Sequence, residues 1–237
     1  MVVNVPKIKT YIDSLDEKLY GGIPVNNIVL VSGEAGTMKS TLVFYALYQN
    51  AIKSNINSVY ITLEQGRDSL LQHMGEIGLE YSDVKDKVSI IDLAMIRRNL
   101  ENMGQQTWIQ IFKMYAQNLK ESLGYKILAI DSLNVLELIA EFQNLRNELF
   151  HFFEWLRSLD CTVFIISEIH ATGSKYGTDG EEFLADGLLH LMMENVDGIN
   201  IQRRIRIVKM RSSNHSPHYY SLIFENGKFD LVRAINE

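Results

Sequence analysis

The sequence predicts an α/β protein built on a mostly parallel central sheet that antiparallel strands extend toward the C-terminus. Three observations carry this. Short β-rich apolar runs alternate with helical patterns of ten or more residues through the first two-thirds of the chain, the rhythm of βαβ units. One such unit, Ile28 to Lys53, joins strand to helix through a tight glycine-bearing loop. After Ile169 the helical periodicity stops, and apolar runs follow one another across Asp197-Gly198 and Asn226-Gly227, pairs that favour hairpin turns.

The elements follow in order. Residues 1–26 form an N-terminal segment in which Asp13 to Leu19 reads as a short helix capped by Asp13 or Ser14. Gly21, Gly22 and Pro24 end it. The first strand, Ile28 to Val31, leads through the glycine loop to a helix from Lys39 to about Lys53, whose Leu42, Ala46, Leu47 and Ile52 lie near helical spacing. Ser58 to Leu63 is a second strand, with a helix from about Arg67 to Ile77 after it, and Val88 to Asp92 is a third. A helix is expected over roughly Gln106 to Ser122, then a fourth strand from Tyr125 to Ile130. One long helix, about Glu137 to Leu159, and a fifth strand, Cys161 to Ser167, complete the parallel portion. His170 to Glu182, rich in Gly, Ser and Thr, reads as a loop. Leu188 to Met193, Ile201 to Met210, His218 to Phe224 and Phe229 to Val232 are the strands of a β-rich extension over 183–237. No repeat or linker divides the 237 residues, so one domain is expected.

Composition narrows the class. With 46% apolar and 22% charged residues the chain has material for a sizeable core. No apolar run approaches the roughly 18 residues a membrane span requires, and the N-terminus lacks a signal-peptide pattern, so a cytoplasmic protein is expected. A net charge of −6 argues against whole-molecule attraction to nucleic acid or anionic membrane. The single cysteine, Cys161, excludes an intrachain disulfide framework and reads as a small buried hydrophobe. The six histidines lack the spacing of a metal site.

The chemistry concentrates in Gly33-Glu34-Ala35-Gly36-Thr37-Met38-Lys39-Ser40-Thr41. Strand, tight loop and helix N-terminus in that order gather backbone N–H groups and the positive end of a helix dipole around one small volume, where a phosphate fits. Lys39 can reach outer phosphates as a point charge and the Ser40 hydroxyl can sit on Mg²⁺. This is nearly a Walker A loop, with Met38 standing where a glycine is expected. Glu64, Asp92, Asp131, Ser167 and Glu168 end successive strands, on the rim where open α/β sheets bind ligands. Asp131, closing KILAI, is the natural Walker B acid for Mg²⁺, and Glu64 the candidate to activate water.

These segments resemble a known family. LDEKLYGGIP, GEAGTMKST, ITLEQ, ILAIDSL, RNELFHFFEWLRSLDCTVFIISE, FLADGLLHL and RRIRIVKMRSSNHS follow, in order, the pattern of KaiC-like ATPases of the RecA superfamily, from about Ile12 to Val232. The resemblance implies a three-layer RecA-like P-loop NTPase fold in a single KaiC-type domain. It implies ATP in the Gly33–Thr41 loop, Mg²⁺ at Ser40 and Asp131, and Glu64 as the first of two family glutamates, the second replaced here by Gln65. Glu168 matches a polar strand-end residue near the nucleotide. Lys209 and Arg211 match a basic pair that reaches the γ-phosphate bound by the neighbouring subunit, which implies a homo-oligomeric ring, a hexamer by family habit. From the residues alone, the run Arg203, Arg204, Arg206, Lys209 and Arg211 reads as a solvated strand face; the resemblance favours cationic fingers.

Three functions are compatible with these observations: a ring-forming, Mg²⁺-dependent regulatory ATPase with a protein partner of unknown identity; a nucleotide-binding regulatory module with little turnover, suggested by Met38 and Gln65; and a recombinase-like DNA-handling ATPase, for which the charge offers no support.

Overall fold

The computed structural model describes residues 5–93, 107–140, 142–169, 176–177 and 180–233. The predicted loop from His170 to Glu182 and the start of the helix expected at Gln106 fall partly outside them. Among the described residues, no helix is long and apolar enough to cross a membrane.

Nine strands form the central sheet: β3 (Ile28–Gly33), β4 (Ser58–Thr62), β5 (Val88–Asp92), β6 (Ile127–Asp131), β7 (Thr162–Glu168), β8 (Gly187–Asn195), β9 (Ile201–Met210), β10 (Tyr219–Glu225) and β11 (Lys228–Arg233). Their order across the sheet is β11-β10-β9-β8-β3-β7-β6-β4-β5. β8, β3, β7, β6, β4 and β5 are joined by parallel pairings. β9, β10 and β11 continue in antiparallel fashion, with the two hairpins at the predicted Gly-containing turns. Leu188 to Met193 differs from the expectation: β8 lies parallel to β3, and the antiparallel extension starts one strand later. The connection from β7 to β8 is long enough for the crossover a parallel pairing requires.

Both faces of the parallel strands are covered, so their sequences are nearly continuously apolar. Val29 and Val31 of β3 pack beneath α2 (Lys39–Ser54), with Leu42, Phe44 and Leu47, while Ile28 and Leu30 face Phe152, Phe153 and Leu156 on the other side. α3 (Arg67–Glu76) follows β4, and α4 (Trp108–Leu123) precedes β6. Cys161 is buried, and loss of solvation pushes its thiol up to about 12, so it acts as a hydrophobe.

Two local expectations are corrected. The single helix from Glu137 to Leu159 is two helices, α5 (Leu133–Ala140) and α6 (Leu145–Ser158). Asn144 caps the second through its side-chain oxygen, which accepts from the Asn147 N–H at 3.3 Å, and Glu148 Oε1 accepts from the Gln143 and Asn144 amides. That local network offers the backbone a helix start in place of a helix interior. At the N-terminus, α1 (Asp13–Lys18) is preceded by Ile12, so neither Asp13 nor Ser14 caps it. Asp16 instead turns back onto Thr10 and Tyr11, accepting both amides and the Thr10 hydroxyl. Ser14 bonds Asp230 and the Leu231 N–H of β11, so α1 shields the edge of the sheet. Two short strands, β1 (Lys7–Ile8) and β2 (Ile23–Pro24), pair on either side of α1.

Candidate functional site

The carboxyl ends of β3, β7, β6 and β4 meet at one rim, with Gly33 opposite Glu168 and Asp131 opposite Thr62. The loop from β3 to α2 rises from this rim because Gly33 allows it: a Cβ there would sit 2.3 Å from the Leu191 carbonyl oxygen on β8. Gly36 turns the loop at φ +80°. Thr37 is fully buried, and its hydroxyl donates to the Glu34 carbonyl at 2.7 Å, tightening the loop from within. Met38 occupies the left-handed region (φ 69°, ψ 32°) immediately before the first turn of α2. This is why a glycine is usual at the position, and it shows that the methionine takes the glycine-like conformation.

A cleft of about 430 Å³ opens beside the loop. Ala35, Gly36, Met38, Lys39, Ser40 and Thr41 line one side of it, while Gly33, Glu34 and Thr37 build the loop from behind. Glu64, Asp131 and Glu168 line the facing side. The other two strand-end residues go elsewhere. Asp92 Oδ2 accepts from the Arg67 N–H at the start of α3, and Ser167 donates to Glu181 behind the sheet.

Lys39 is 6% exposed; its Nζ donates to the Glu34 carbonyl at 2.8 Å and lies 3.7 Å from Glu168 Oε1. Burial pulls its ammonium below the usual lysine range, against the opposing pull of Glu168, Asp131 and Glu64. Asp131 is buried, and loss of solvation raises its carboxyl above the ordinary value, although hydrogen bonds from Tyr60 and Ser40 and the charge of Lys39 favour the ionised form. Glu64 is held by the Ser132 hydroxyl, 2.7 Å from Oε1, while the Gln65 side chain turns away to Ser69.

Several residues reach this cleft that the sequence did not single out. Arg203, on β9, donates Nε–H to the Gly36 carbonyl at 3.3 Å. His73 and Met74 of α3 close the side beside Glu64 and Gln65. Tyr60 stands under Asp131. Arg203 lay within the basic run read as a solvated face; the structure corrects that reading at Arg204, which is buried against Glu194, while the exposed Arg203 reaches the loop.

Lys209 and Arg211 are not in this cleft. Lys209 pairs with Leu188 and so lies level with Leu30, three residues back along the parallel strands from Gly33, roughly 10 Å by strand rise. Its Nζ donates to the carbonyls of Glu182, Phe183 and Ala185, and Arg211 bonds Asp186 at 3.0 Å and the Phe183 carbonyl. Both side chains therefore engage one segment, α7 (Glu181–Leu184) and its exit, away from the loop of their own chain.

The donor set suits a magnesium nucleotide. Ser40 and Asp131 are hard oxygen donors side by side, and among the described residues no group of three His, Cys, Asp or Glu could hold a metal by itself. Mg²⁺ is commonly bound by one or two carboxylates together with substrate phosphates. The glycine cradle leaves room for backbone to approach a phosphate closely.

A mostly parallel sheet with a glycine loop between its central strand and the helix that follows defines the RecA-like α/β class. Within that class the chain belongs to the KaiC ATPase family, whose model matches residues 8–231. A UPF0273 protein of Saccharolobus solfataricus is 30% identical over 221 residues, covering 89% of this chain and 77% of the relative. A UPF0273 protein of Methanocaldococcus jannaschii is 28% identical over 222 residues, covering 89% of each chain. The crystal structure of a KaiC-like protein from Pyrococcus horikoshii superposes with a TM-score of 0.83 at 26% identity, covering 96% of this chain and 99% of that one.

Proposed function

We propose that the chain is a single KaiC-type domain, residues 1–237, that binds ATP with Mg²⁺ and hydrolyses it, acting as a regulatory ATPase in a homo-oligomeric ring. The observation that carries the reading is the buried Lys39 ammonium, set between the loop carbonyl of Glu34 and the acids Glu168, Asp131 and Glu64 across an open cleft. A lysine so desolvated is costly unless an anionic ligand shares the cleft.

In this reading the loop amides and Lys39 hold the outer phosphates of ATP. Ser40 and Asp131 are the residues that would hold Mg²⁺, which when bound offsets charge on the phosphate oxygens. Glu64, steadied by Ser132, orients water toward the γ-phosphate and accepts its proton. Arg203 bonds the loop carbonyl of Gly36 and supplies positive charge at the same rim. Lys209 and Arg211, remote from their own loop, are available to the cleft of a neighbouring copy. ATP turnover by purified protein, with Lys39→Ala and Glu64→Gln variants, tests the assignment; unchanged rates in both would defeat it.

Gln65 favours a second reading, in which nucleotide binding rather than turnover is the output. Its amide is occupied with Ser69 and offers no second carboxylate beside Glu64. Tight ATP binding with negligible phosphate release would support that reading.

A further inference from the structure

We propose that Tyr60 is a positioning residue for the metal carboxylate, fixing through a buried phenol the orientation of Asp131, which with Ser40 would hold Mg²⁺. The inference rests on the magnesium-nucleotide reading of the cleft. Tyr60 belongs to β4 and is fully buried on the α2 face of the sheet. It pairs with Ala129, two residues before Asp131, and its hydroxyl donates to Asp131 Oδ2 at 2.5 Å. Ser40, which lines the cleft with Asp131, lies beside both the phenol and the carboxylate.

One side chain therefore touches both residues that would hold the metal. Its ring is fixed as well, packing edge-on against Phe44 with centroids 5.9 Å apart, and Phe44 lies one helical turn beyond Ser40 on α2. A core position needing only volume would take phenylalanine, since a buried hydroxyl must find a partner or cost free energy. Here the hydroxyl engages Oδ2 and so holds the carboxylate in one orientation. Partners in this position orient metal ligands, and losing them typically costs 10- to 100-fold in metal affinity.

The test is Mn²⁺ binding to the full chain, followed by electron paramagnetic resonance with saturating ADP. Tyr60→Phe keeps the ring and removes the hydroxyl. The expected result is a metal dissociation constant raised by about tenfold or more, with ADP affinity in EDTA unchanged and no further loss when Tyr60→Phe is added to Asp131→Asn. Tyr48→Phe, which removes the partly buried α2 hydroxyl that donates to Asp83, serves as control and leaves metal binding unaltered. A metal constant for Tyr60→Phe within twofold of wild type would overturn the proposal, whether or not the variant is less stable. Should Tyr60→Phe not fold, 3-fluorotyrosine at position 60 reports instead. A fluorine shift that saturates with metal supports the role, and an unmoved resonance overturns it. If wild-type protein took up Mn²⁺ no better with ADP than without, the reading of the cleft would itself have failed, a different result from a normal wild type beside an unaffected variant.

Discussion

Lys39 Nζ lies 2.8 Å from the Glu34 carbonyl and 3.7 Å from Glu168 Oε1, so the cation is folded onto its own loop and faces an acid on the next strand. Its ammonium is pulled down because burial outweighs these partners. Carrying its charge is therefore harder in the folded chain than in the unfolded one, and the charged side chain subtracts from stability. Lys39→Met is expected to raise the melting temperature of the nucleotide-free protein by a few degrees, on the order of 1 kcal/mol. The same variant is expected to lose the nucleotide-dependent thermal shift, which for a ligand at a hundred times its Kd is worth about 2.7 kcal/mol. Scanning calorimetry with and without Mg·ATP measures both. A full thermal shift in Lys39→Met would remove the residue from the phosphate site.

Met38 gives a prediction with opposing terms. Its left-handed backbone costs about 1–2 kcal/mol relative to a glycine, while its side chain packs partly against the core. Met38→Gly relieves the first and loses the second, so stability should stay within about 1 kcal/mol of wild type. Met38→Val keeps the strain, adds branching at Cβ and gives up packing, and should fall at least about 2 kcal/mol below the glycine variant. Denaturant unfolding of the three proteins measures the order. Equal stabilities for glycine and valine would mean that the backbone here is not held in the left-handed region.

The parallel sheet and the loop were legible because both are written locally. Uninterrupted apolar runs report burial on two faces, and a glycine before a helix N-terminus reports where backbone must turn. What escaped reading depends on register between distant strands. Tyr60 meets Asp131 across 71 residues and Arg203 meets Gly36 across 167, and no local pattern distinguishes either from its neighbours. Asp92 shows the converse: as a strand-end acid it looks like Asp131, yet its carboxylate holds the first turn of α3. The break between α5 and α6 was readable in principle from Asn144 and Glu148, but the apolar periodicity of the flanking helices masks it.

His190 should make stability depend on pH. It is a buried residue on β8, with Nδ1 3.4 Å from the Ser32 hydroxyl, the rings of Tyr176 and Tyr219 at 5.0 and 6.3 Å, and Arg206 opposite on β9. Glu181 lies nearby in the fold but is engaged by Ser167. Burial pulls the imidazole below its ordinary value against an opposing hydrogen bond with Ser32, and the charge of Arg206 adds to the fall. The unfolded chain therefore takes up a proton that the folded chain refuses. The contribution is complete above roughly pH 6.5 and declines as pH falls through that value toward the folded one, with a slope of at most about 1.4 kcal/mol per unit. Melting temperatures measured from pH 7.5 to 5 should fall through this window in wild type and flatten in His190→Gln. The same slope in both would assign the acid loss to other groups.

Lys209 and Arg211 lead to the last prediction. Each is anchored to the Glu182–Asp186 segment, and Lys209 is level with the middle of β3 rather than with the loop at its end. Any direct contact of either with the reacting phosphate must therefore be made in another copy. Such head-to-tail interfaces give every cleft one loop and one pair of fingers, from different chains. A chain carrying Lys39→Ala has intact fingers, and one carrying Lys209→Ala and Arg211→Ala has an intact loop. Each alone should be inactive. Mixed in equal amounts under exchanging conditions, they should form intact clefts at roughly a quarter of interfaces, since random pairing makes one combination in four whole. Phosphate release by the mixture should then recover to about a quarter of the wild-type rate. Recovery shows that the cations act across an interface; a mixture as inactive as its components, with both variants folded and assembling, would show that they do not.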